Sequence, residues 1–355
     1  MSANTVRTLI NLGLQLHRVI VNPKPNRNAS RFITVDKIEK IENCEVVYCF
    51  NEPINHSGIF NGVLTAQCAE EPLPAGGSCL LGSLNLAEFV TEDRQFDYNN
   101  FEDAVFKSIV ALNEVLDEGL PLHPLQEQRD SVRDWRQVGL GIFGLADMLI
   151  KMNVRYGSKD SLVLCSNIAS RMSDVAIACS AHLAMTEGCY PKFKLNKVEK
   201  SDFYQSNTSN FTKESVQKYG LRNSQLLTIA PTGSLSTMLG VSGGIEPIYA
   251  NYYERKTESL HGHDEYYKIY TPIVQSYMDE HGLKDDKELP DFFTTAKTLN
   301  YRERIEMQSA WQNHIDASIS STINVPHNFT KEQVEDLYMY AHERGLKGVT
   351  IVSAQ

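Results

Sequence analysis

The chain has 355 residues, of which 42% are hydrophobic and 22% charged, so it is long enough to bury a large core. Its formal net charge of -10 at pH 7 argues against a large nucleic-acid-binding surface, but it allows a locally basic pocket for a phosphorylated small molecule. The longest apolar runs, such as that over 142–150, are too short to cross a bilayer, and the N-terminus lacks a signal-peptide pattern, so we predict a cytoplasmic protein with no membrane partner.

Residues 1–45 are predicted to form a helix over 5–21 and then a polar linker over 22–31 that contains two prolines. β-Branched and aromatic residues over 45–50 favour a strand. The segment over 65–83 is rich in Gly, Pro and Cys without any period. We predict an ordered loop there, of the kind that carries function on a rigid frame.

The rest of the chain alternates between helical and strand-like patterns. Helices are predicted over 101–116, 137–152, 161–187 and 331–344, and short strands over 226–230, 320–325 and 348–352. This alternation predicts an α/β class with a largely parallel sheet or barrel.

The seven cysteines include no C-x-x-C pair, so neither a disulfide framework nor a zinc knuckle fits. The histidines show no metal-ligand spacing either, and no metal site is predicted. Cys165 and Cys179 lie in helical patterns and are expected to be buried apolar residues. Cys68 and Cys79 lie in non-helical surroundings and are the candidates for chemistry.

Two glycine-containing segments have competing interpretations. Gly139–Gly144 matches G-x-G-x-x-G, but the residues before it are charged and polar rather than an apolar strand. Glycines that allow a helix to pack closely explain this run better than a nicotinamide site. Pro231 to Ser236 follows a predicted strand, and its small and hydroxyl residues suit either a phosphate at a helix start or an ordinary helix cap.

Cys68 and Glu70 are two residues apart in the predicted loop. In an extended segment their side chains face the same way, so both can address one substrate. A neighbouring carboxylate raises the pKa of a thiol, which disfavours an ionic nucleophile but not a neutral thiyl radical. The alternative is a buried cysteine beside a solvated glutamate.

Together these segments resemble the catalytic subunit of ribonucleotide reductases from about Val46 onward. The resemblance is carried by Gln67-Cys68-Ala69-Glu70-Glu71-Pro72-Leu73-Pro74 with Gly77 to Ala87, by Val138 to Asp147, by Ala230 to Ser236 with Gly244 to Pro247, and by Ile315 to Val325 with Gly345 to Thr350.

This resemblance implies that residues 46–355 form part of a ten-stranded α/β barrel with the Cys68 loop as a central finger. It implies that Cys68 becomes a thiyl radical that takes the 3′ hydrogen of a ribonucleotide and that Glu70 acts as the base. Cys79 matches one of the two cysteines that become a disulfide. The substrate phosphates would bind at Pro231, Thr232, Gly233, Ser234, Leu235 and Ser236, and the substrate hydroxyls at Ala66 and Gln67.

The chain also departs from the family pattern. Ala66 stands where an Asn is usual, and residues 349–352 lack the adjacent tyrosines of enzymes that receive a radical from a small subunit. The second difference favours adenosylcobalamin as the radical source. Because the family's N-terminal half has no counterpart, we expect an N-terminal partner polypeptide, besides a thioredoxin-like reductant and assembly into a homo-oligomer. The resemblance implies that the substrate is a ribonucleoside di- or triphosphate. The alternative function is that of a catalytically inactive, nucleotide-binding remnant of a reductase.

Overall fold

The computed structural model describes residues 57–60, 63–66, 71–257 and 265–353. The helix, linker and strand predicted over 5–50 lie outside these residues. The strands are β1 (Ser57–Phe60), β2 (Val63–Ala66), β3 (Leu81–Asn85), β4 (Gly139–Phe143), β5 (Tyr252–Thr257), β6 (Glu265–Tyr270), β7 (Thr322–Val325) and β8 (Thr350–Ser353).

Helices fill most of the sequence between the strands. They are α1 (Tyr98–Gly119), α2 (Gln126–Trp135), α3 (Leu145–Lys151), α4 (Lys159–Glu187), α5 (Leu195–Val198), α6 (Asp202–Asn207), α7 (Asn210–Tyr219), α8 (Gly233–Leu239), α9 (Pro272–His281), α10 (Tyr301–Gln312) and α11 (Lys331–Glu343). The predicted α/β class is confirmed, and α1, α4 and α11 coincide with three of the predicted helices.

Five parallel segments lie side by side. β3 pairs with β4. On its other side, β4 neighbours residues 226–229, to which a bridge between Leu140 and Leu227 connects it. That segment bonds in turn to residues 317–320, which lead into β7, and β7 pairs with β8. The order of the segments across the sheet therefore follows their order in the chain. Two antiparallel hairpins, β1–β2 and β5–β6, stand apart from this set.

The core is built by amphipathic helices packed on these segments. Asp97 is the N-cap of α1, where its carboxylate accepts from the Asn100 N–H, and the buried residues of α1 recur at helical spacing. They are Phe101, Val105, Ile109, Leu112 and Leu116. α4 packs against α1, α7 and α10, and it buries Cys165 and Cys179 completely, as predicted. By length and composition α4 alone among the described helices passes as a membrane span, but it is a helix of the core.

The helix predicted over 137–152 is wrong in its first half. Residues 139–143 form β4, in which every residue is buried, and only α3 is helical. A fully buried apolar run carries no periodicity that separates helix from strand. The glycines serve close packing between strands: a Cβ at position 141 would lie 2.2 Å from the Thr228 carbonyl oxygen. Gly139 and Gly141 therefore lie within a strand and not in a strand-to-helix turn.

Candidate functional site

Only some of the predicted site residues lie in the part of the chain that the structure describes. Gln67, Cys68 and Glu70 lie outside the described residues, and Ala66 is the last residue of β2. Cys79 is exposed and lies two residues before β3. The turn from Pro231 to Ser236 follows the strand segment over 226–229 and opens α8. Cys79 and this turn therefore lie toward opposite ends of the parallel segments.

Residues 71–80, which lead from the predicted Cys68 loop to β3, pack against α2. Gly77 N–H donates to the Pro74 oxygen at 2.8 Å, which closes a turn. Gly76 has a φ of 72°, and a Cβ there would lie 2.9 Å from the Glu127 oxygen, so only glycine fits without strain. Gln128 Nε2 donates to Ser78 Oγ at 3.2 Å. These contacts fix the backbone on both sides of position 77 just before Cys79.

The turn before α8 is exposed to solvent. Pro231, Gly233 and Ser234 are exposed, whereas Ser236 is buried. Thr232 occupies the N-cap position, but its side chain makes no cap hydrogen bond. The interpretation of this turn as an ordinary Ser/Thr cap is therefore wrong. The first N–H groups of a helix have no partner within the helix, so those of α8 point out of an uncapped end.

Thr232 adopts a strained conformation that a second loop supports. Its φ of 50° lies in the left-handed region, which is unfavourable for a β-branched residue. The Gly244 N–H donates to Thr232 Oγ1 at 2.9 Å. Gly243 and Gly244 come so close to the turn that a Cβ would lie 2.9 Å from the Pro231 oxygen or 2.7 Å from the Ala230 oxygen, respectively. Gly243 and Gly244 thus pack directly against the backbone of this turn.

A buried polar cluster holds the supporting loop. Arg304, 3% exposed, donates to Glu246 Oε2 at 2.8 Å and to the Tyr156 hydroxyl at 2.6 Å. Glu246 Oε1 accepts the Thr322 N–H at 2.8 Å, and the Tyr156 hydroxyl donates to the Ile245 oxygen at 2.7 Å. Burial raises the pKa of Tyr156, so this hydroxyl stays a donor. The cluster ties the loop to the start of β7.

At the N-terminal ends of the parallel segments, the side chains of Asp316 and Lys347 bind backbone groups of neighbouring segments. The Asp316 carboxylate accepts the N–H groups of Leu226, Leu227 and Ala317 at 2.8, 2.7 and 3.0 Å. Lys347 Nζ donates to the backbone oxygens of residues 315, 316 and 317 at 3.3, 2.8 and 2.7 Å. Burial raises the pKa of Asp316 and lowers the pKa of Lys347. Backbone hydrogen bonds offset this cost and fasten three neighbouring segments.

Sequence reasoning missed these supporting residues. Glu246 stands out in the sequence only as part of a tight Gly-Gly-Ile-Glu-Pro segment, and Arg304 lies in a helix, α10, that was not predicted. A charged residue inside an apolar segment was the available signal for Glu246. Nothing local marks its partner, because positions 246 and 304 are 58 residues apart.

Comparison with known proteins gives the family. The model of the family described as ribonucleotide reductase, barrel domain, matches residues 35–352. A vitamin B12-dependent ribonucleoside-diphosphate reductase of Thermoplasma acidophilum is 29% identical over 308 residues, which are 81% of this chain and 37% of that protein. Its namesake from Mycobacterium tuberculosis is 27% identical over 95% of this chain and 49% of its own length.

A solved structure shares the fold. The class Id ribonucleotide reductase alpha subunit of Actinobacillus ureae superposes with a TM-score of 0.60 at 23% identity, over 81% of this chain and 53% of that one. The chain thus spans about a third to a half of the length of the curated relatives named above. With the family model matching most of its residues, the chain belongs to the ribonucleotide reductase barrel domain family.

Proposed function

We propose that this chain supplies the catalytic half of a ribonucleotide reductase and reduces ribonucleotides to deoxyribonucleotides in the cytoplasm. The observation that carries the proposal is the set of five parallel segments. Among the described strands, β3 and β8 each have a hydrogen-bonded neighbour on one side only. A barrel requires every strand edge to be paired. A second polypeptide, which corresponds to the N-terminal part of the longer relatives, would pair both edges.

In this proposal the Cys68 thiyl takes the 3′ hydrogen atom of the substrate. Glu70 accepts the proton of the 3′ hydroxyl, which helps the 2′ oxygen leave as water. Cys79 is one of two thiols that give up two electrons and become a disulfide, and an external thioredoxin-like dithiol reduces that disulfide again. The exposure of Cys79 supports this role, because thiol exchange requires access to the sulfur.

The uncapped start of α8 supports the phosphate-binding part of the proposal. Backbone N–H groups at a helix start and the positive end of the helix dipole favour an anion there. Because this turn and Cys79 lie toward opposite strand ends, a nucleotide bound with its phosphates at Thr232, Gly233 and Ser234 has its sugar directed toward the interior. We expect Ala66 and Gln67 to contact the sugar hydroxyls.

Adenosylcobalamin is the radical source that suits this chain. Transfer of a radical through the protein needs aromatic side chains that lose an electron easily, such as tyrosine. β8 instead consists of Thr350, Ile351, Val352 and Ser353. When bound, adenosylcobalamin supplies an organic radical by homolysis of its cobalt–carbon bond. Two of the relatives bear the name vitamin B12-dependent, which agrees with this source.

The test is complementation. The full chain is co-expressed with a polypeptide that carries the N-terminal half, and reduction of ribonucleoside di- and triphosphates is measured with and without adenosylcobalamin and a dithiol. We expect turnover only with both chains and the cofactor, and none for Cys68→Ser, because serine does not form the radical.

Cys189→Ser is the matched control. Cys189 donates to the Tyr219 oxygen at the end of α7 and is not one of the residues assigned to the site, so its replacement should leave turnover unchanged. Turnover by Cys68→Ser in the complemented complex would refute the assignment. Nucleotide binding without turnover in the complemented complex of the parent chain would favour the inactive remnant.

A further inference from the structure

The start of α3 is capped by a residue from a distant part of the chain. The N-cap position itself is Gly144, which has no side chain to accept a helix N–H. Ser242 Oγ accepts the Ala146 N–H at 3.1 Å, and the Ser242 backbone oxygen accepts the Gly144 N–H at 2.8 Å. In return, Asp147 Oδ2 accepts the Ser242 N–H at 2.7 Å. We call this set of hydrogen bonds the Ser242 cap.

The Ser242 cap has the reciprocal pairing of a capping box. In such a box a serine or threonine side chain accepts a helix N–H, and a glutamate or glutamine at the third helical position accepts the N–H of the capping residue. Asp147 is the third residue of α3 and is 3% exposed. Here the two halves of the box are 95 residues apart. The cap therefore joins two segments of the fold as well as starting a helix.

Ser242 lies within the supporting loop, residues 241–246, which contacts the turn before α8. On one side of Ser242, the Val241 N–H donates to the Ser236 oxygen at 3.0 Å. On its other side, the Gly244 N–H donates to Thr232 Oγ1 at 2.9 Å. Ser242 thus binds α3 while residues on both sides of it bind the turn. A displacement of Ser242 would displace the groups that hold the strained Thr232.

The far end of the supporting loop is held by the buried pair of Arg304 and Glu246. Glu246 also accepts the N–H of Thr322, the first residue of β7. One end of the loop is thus bound to β7, and Ser242 binds the other end to α3, which follows β4. In the sheet, β4 and the segment that leads into β7 lie on either side of residues 226–229. The loop therefore spans the C-terminal end of that segment, where the turn lies.

We propose that Ser242 and Asp147 are positioning residues for nucleotide binding, because the Ser242 cap fixes the loop that keeps the turn from Pro231 to Ser236 in its binding conformation. The inference rests on the proposed function, since it concerns the phosphate turn assigned there. A strained residue such as Thr232 persists only while its surroundings hold it. A turn released from the loop would have to be ordered again on binding, which weakens affinity.

Removal of one hydroxyl group tests the Ser242 cap. Ser242→Ala deletes the acceptor of the Ala146 N–H, whereas Ser242→Thr keeps a hydroxyl oxygen. Ser209→Ala is the matched control. Ser209 caps α7, where its Oγ accepts the Thr212 N–H at 3.3 Å and its own N–H donates to Asp174 at 2.8 Å. Both alanine variants lose one helix cap, so their urea midpoints should fall by similar amounts.

Two measurements separate positioning from stability. Hydrogen exchange of the peptide over 232–239 in the full chain reports how firmly the turn is held, without any ligand. Calorimetric titration of the complemented complex with cytidine diphosphate gives the Kd. For Ser242→Ala we expect both the exchange rate and the Kd to rise about fivefold, which corresponds to about 1 kcal/mol, the usual effect of losing a cap. Ser209→Ala and Ser242→Thr should match the parent in both.

Asp147→Asn serves if Ser242→Ala does not fold. It keeps an acceptor oxygen for the Ser242 N–H but loses the negative charge, so we expect both quantities to rise by about twofold.

Unchanged exchange over 232–239 in Ser242→Ala would overturn the proposal, and so would a Kd that rises as much in Ser209→Ala as in Ser242→Ala. Failure of the proposed function has a different signature. In that case the parent complex itself does not bind cytidine diphosphate, and the inference falls with it. If only the inference fails, the parent complex binds cytidine diphosphate and Ser242→Ala binds it equally well.

Discussion

The two ends of the parallel segments are stabilised in opposite ways. At the N-terminal ends, Asp316 and Lys347 satisfy backbone groups of three neighbouring segments. At the C-terminal end of the segment over 226–229, Thr232 is strained and the helix start beside it is exposed and uncapped. At the first end these backbone groups are paired within the chain, whereas the second end leaves backbone donors available to a ligand.

This difference between the two strand ends is typical of barrels of parallel strands. Catalytic and binding groups gather at the C-terminal ends of strands, and the other ends contribute stability. Strain is retained where function needs it and is stabilised by the surroundings, here by Gly244, Glu246 and Arg304. The comparison predicts that substitutions at one end act on folding and those at the other act on binding.

The largest effect is expected from alanine at Gly141. A Cβ would lie 2.2 Å from the Thr228 carbonyl oxygen, so β4 and the segment over 226–229 would have to separate. We expect a loss of more than about 4 kcal/mol in the free energy of unfolding, and hence little folded protein. Circular dichroism and urea denaturation measure this. Gly233→Ala is the control: nothing lies within 4 Å of its Cβ, so it should fold normally yet weaken nucleotide binding in the complemented complex.

Asp316→Ala should come next. It leaves three backbone N–H groups without their acceptor, at a cost of about 3 kcal/mol in the free energy of unfolding. Asp316→Asn retains one acceptor oxygen and should lose roughly half as much. Urea denaturation of both variants gives the comparison. Equal stability of Asp316→Ala and the parent chain would show that this end is not the one that holds the segments together.

Sequence reasoning found the elements whose patterns are local. α1 and α4 show helical spacing over many residues and were predicted, although α1 extends to Gly119. β4 was misassigned because all five of its residues are buried. The loop predicted over 65–83 wrongly included the first three residues of β3, because Leu81–Asn85 is short and small residues interrupt it. The period of an element is visible only when it has one buried face and one exposed face.

The site was predictable where residue type alone carries meaning. The cysteines and the turn before α8 were selected from chemistry and resemblance, but the residues that position them were not. Ser242 contacts Asp147 across 95 positions, and Asp316 contacts Leu226 across 90. Such pairs depend on tertiary structure, which no local sequence pattern reveals.

Thr232→Val tests the strained end. Valine keeps the shape and the left-handed strain but removes the oxygen that accepts the Gly244 N–H, so we expect a loss of about 1 kcal/mol in stability. If the turn binds phosphate, the KM for the nucleotide should rise about tenfold with little change in kcat, which corresponds to about 1.4 kcal/mol of lost binding. Thr232→Ser keeps the acceptor and should resemble the parent chain. An unchanged KM in Thr232→Val would remove this turn from the binding site.

The smallest effect concerns pH at the N-terminal ends, where His314 precedes Asp316 by two residues. Asn207 Nδ2 donates to the Asn313 oxygen at 2.9 Å, so Asn207 Oδ1 accepts from His314 Nδ1. His314 Nε2 is then left to accept from Ser166 at 3.1 Å, and it does so only in the neutral ring.

Burial lowers the pKa of His314 below 6.5, its ordinary value. Below pH 6.5 the unfolded chain therefore binds more protons than the folded one, and stability must fall as the pH falls through this value toward the folded pKa. Between pH 7 and pH 6 one such histidine contributes at most about 0.7 kcal/mol. Urea midpoints measured across this range should decline for the parent chain and decline less for His314→Gln. A variant with the same pH slope as the parent would show that this end of the barrel is not sensitive to the protonation of His314.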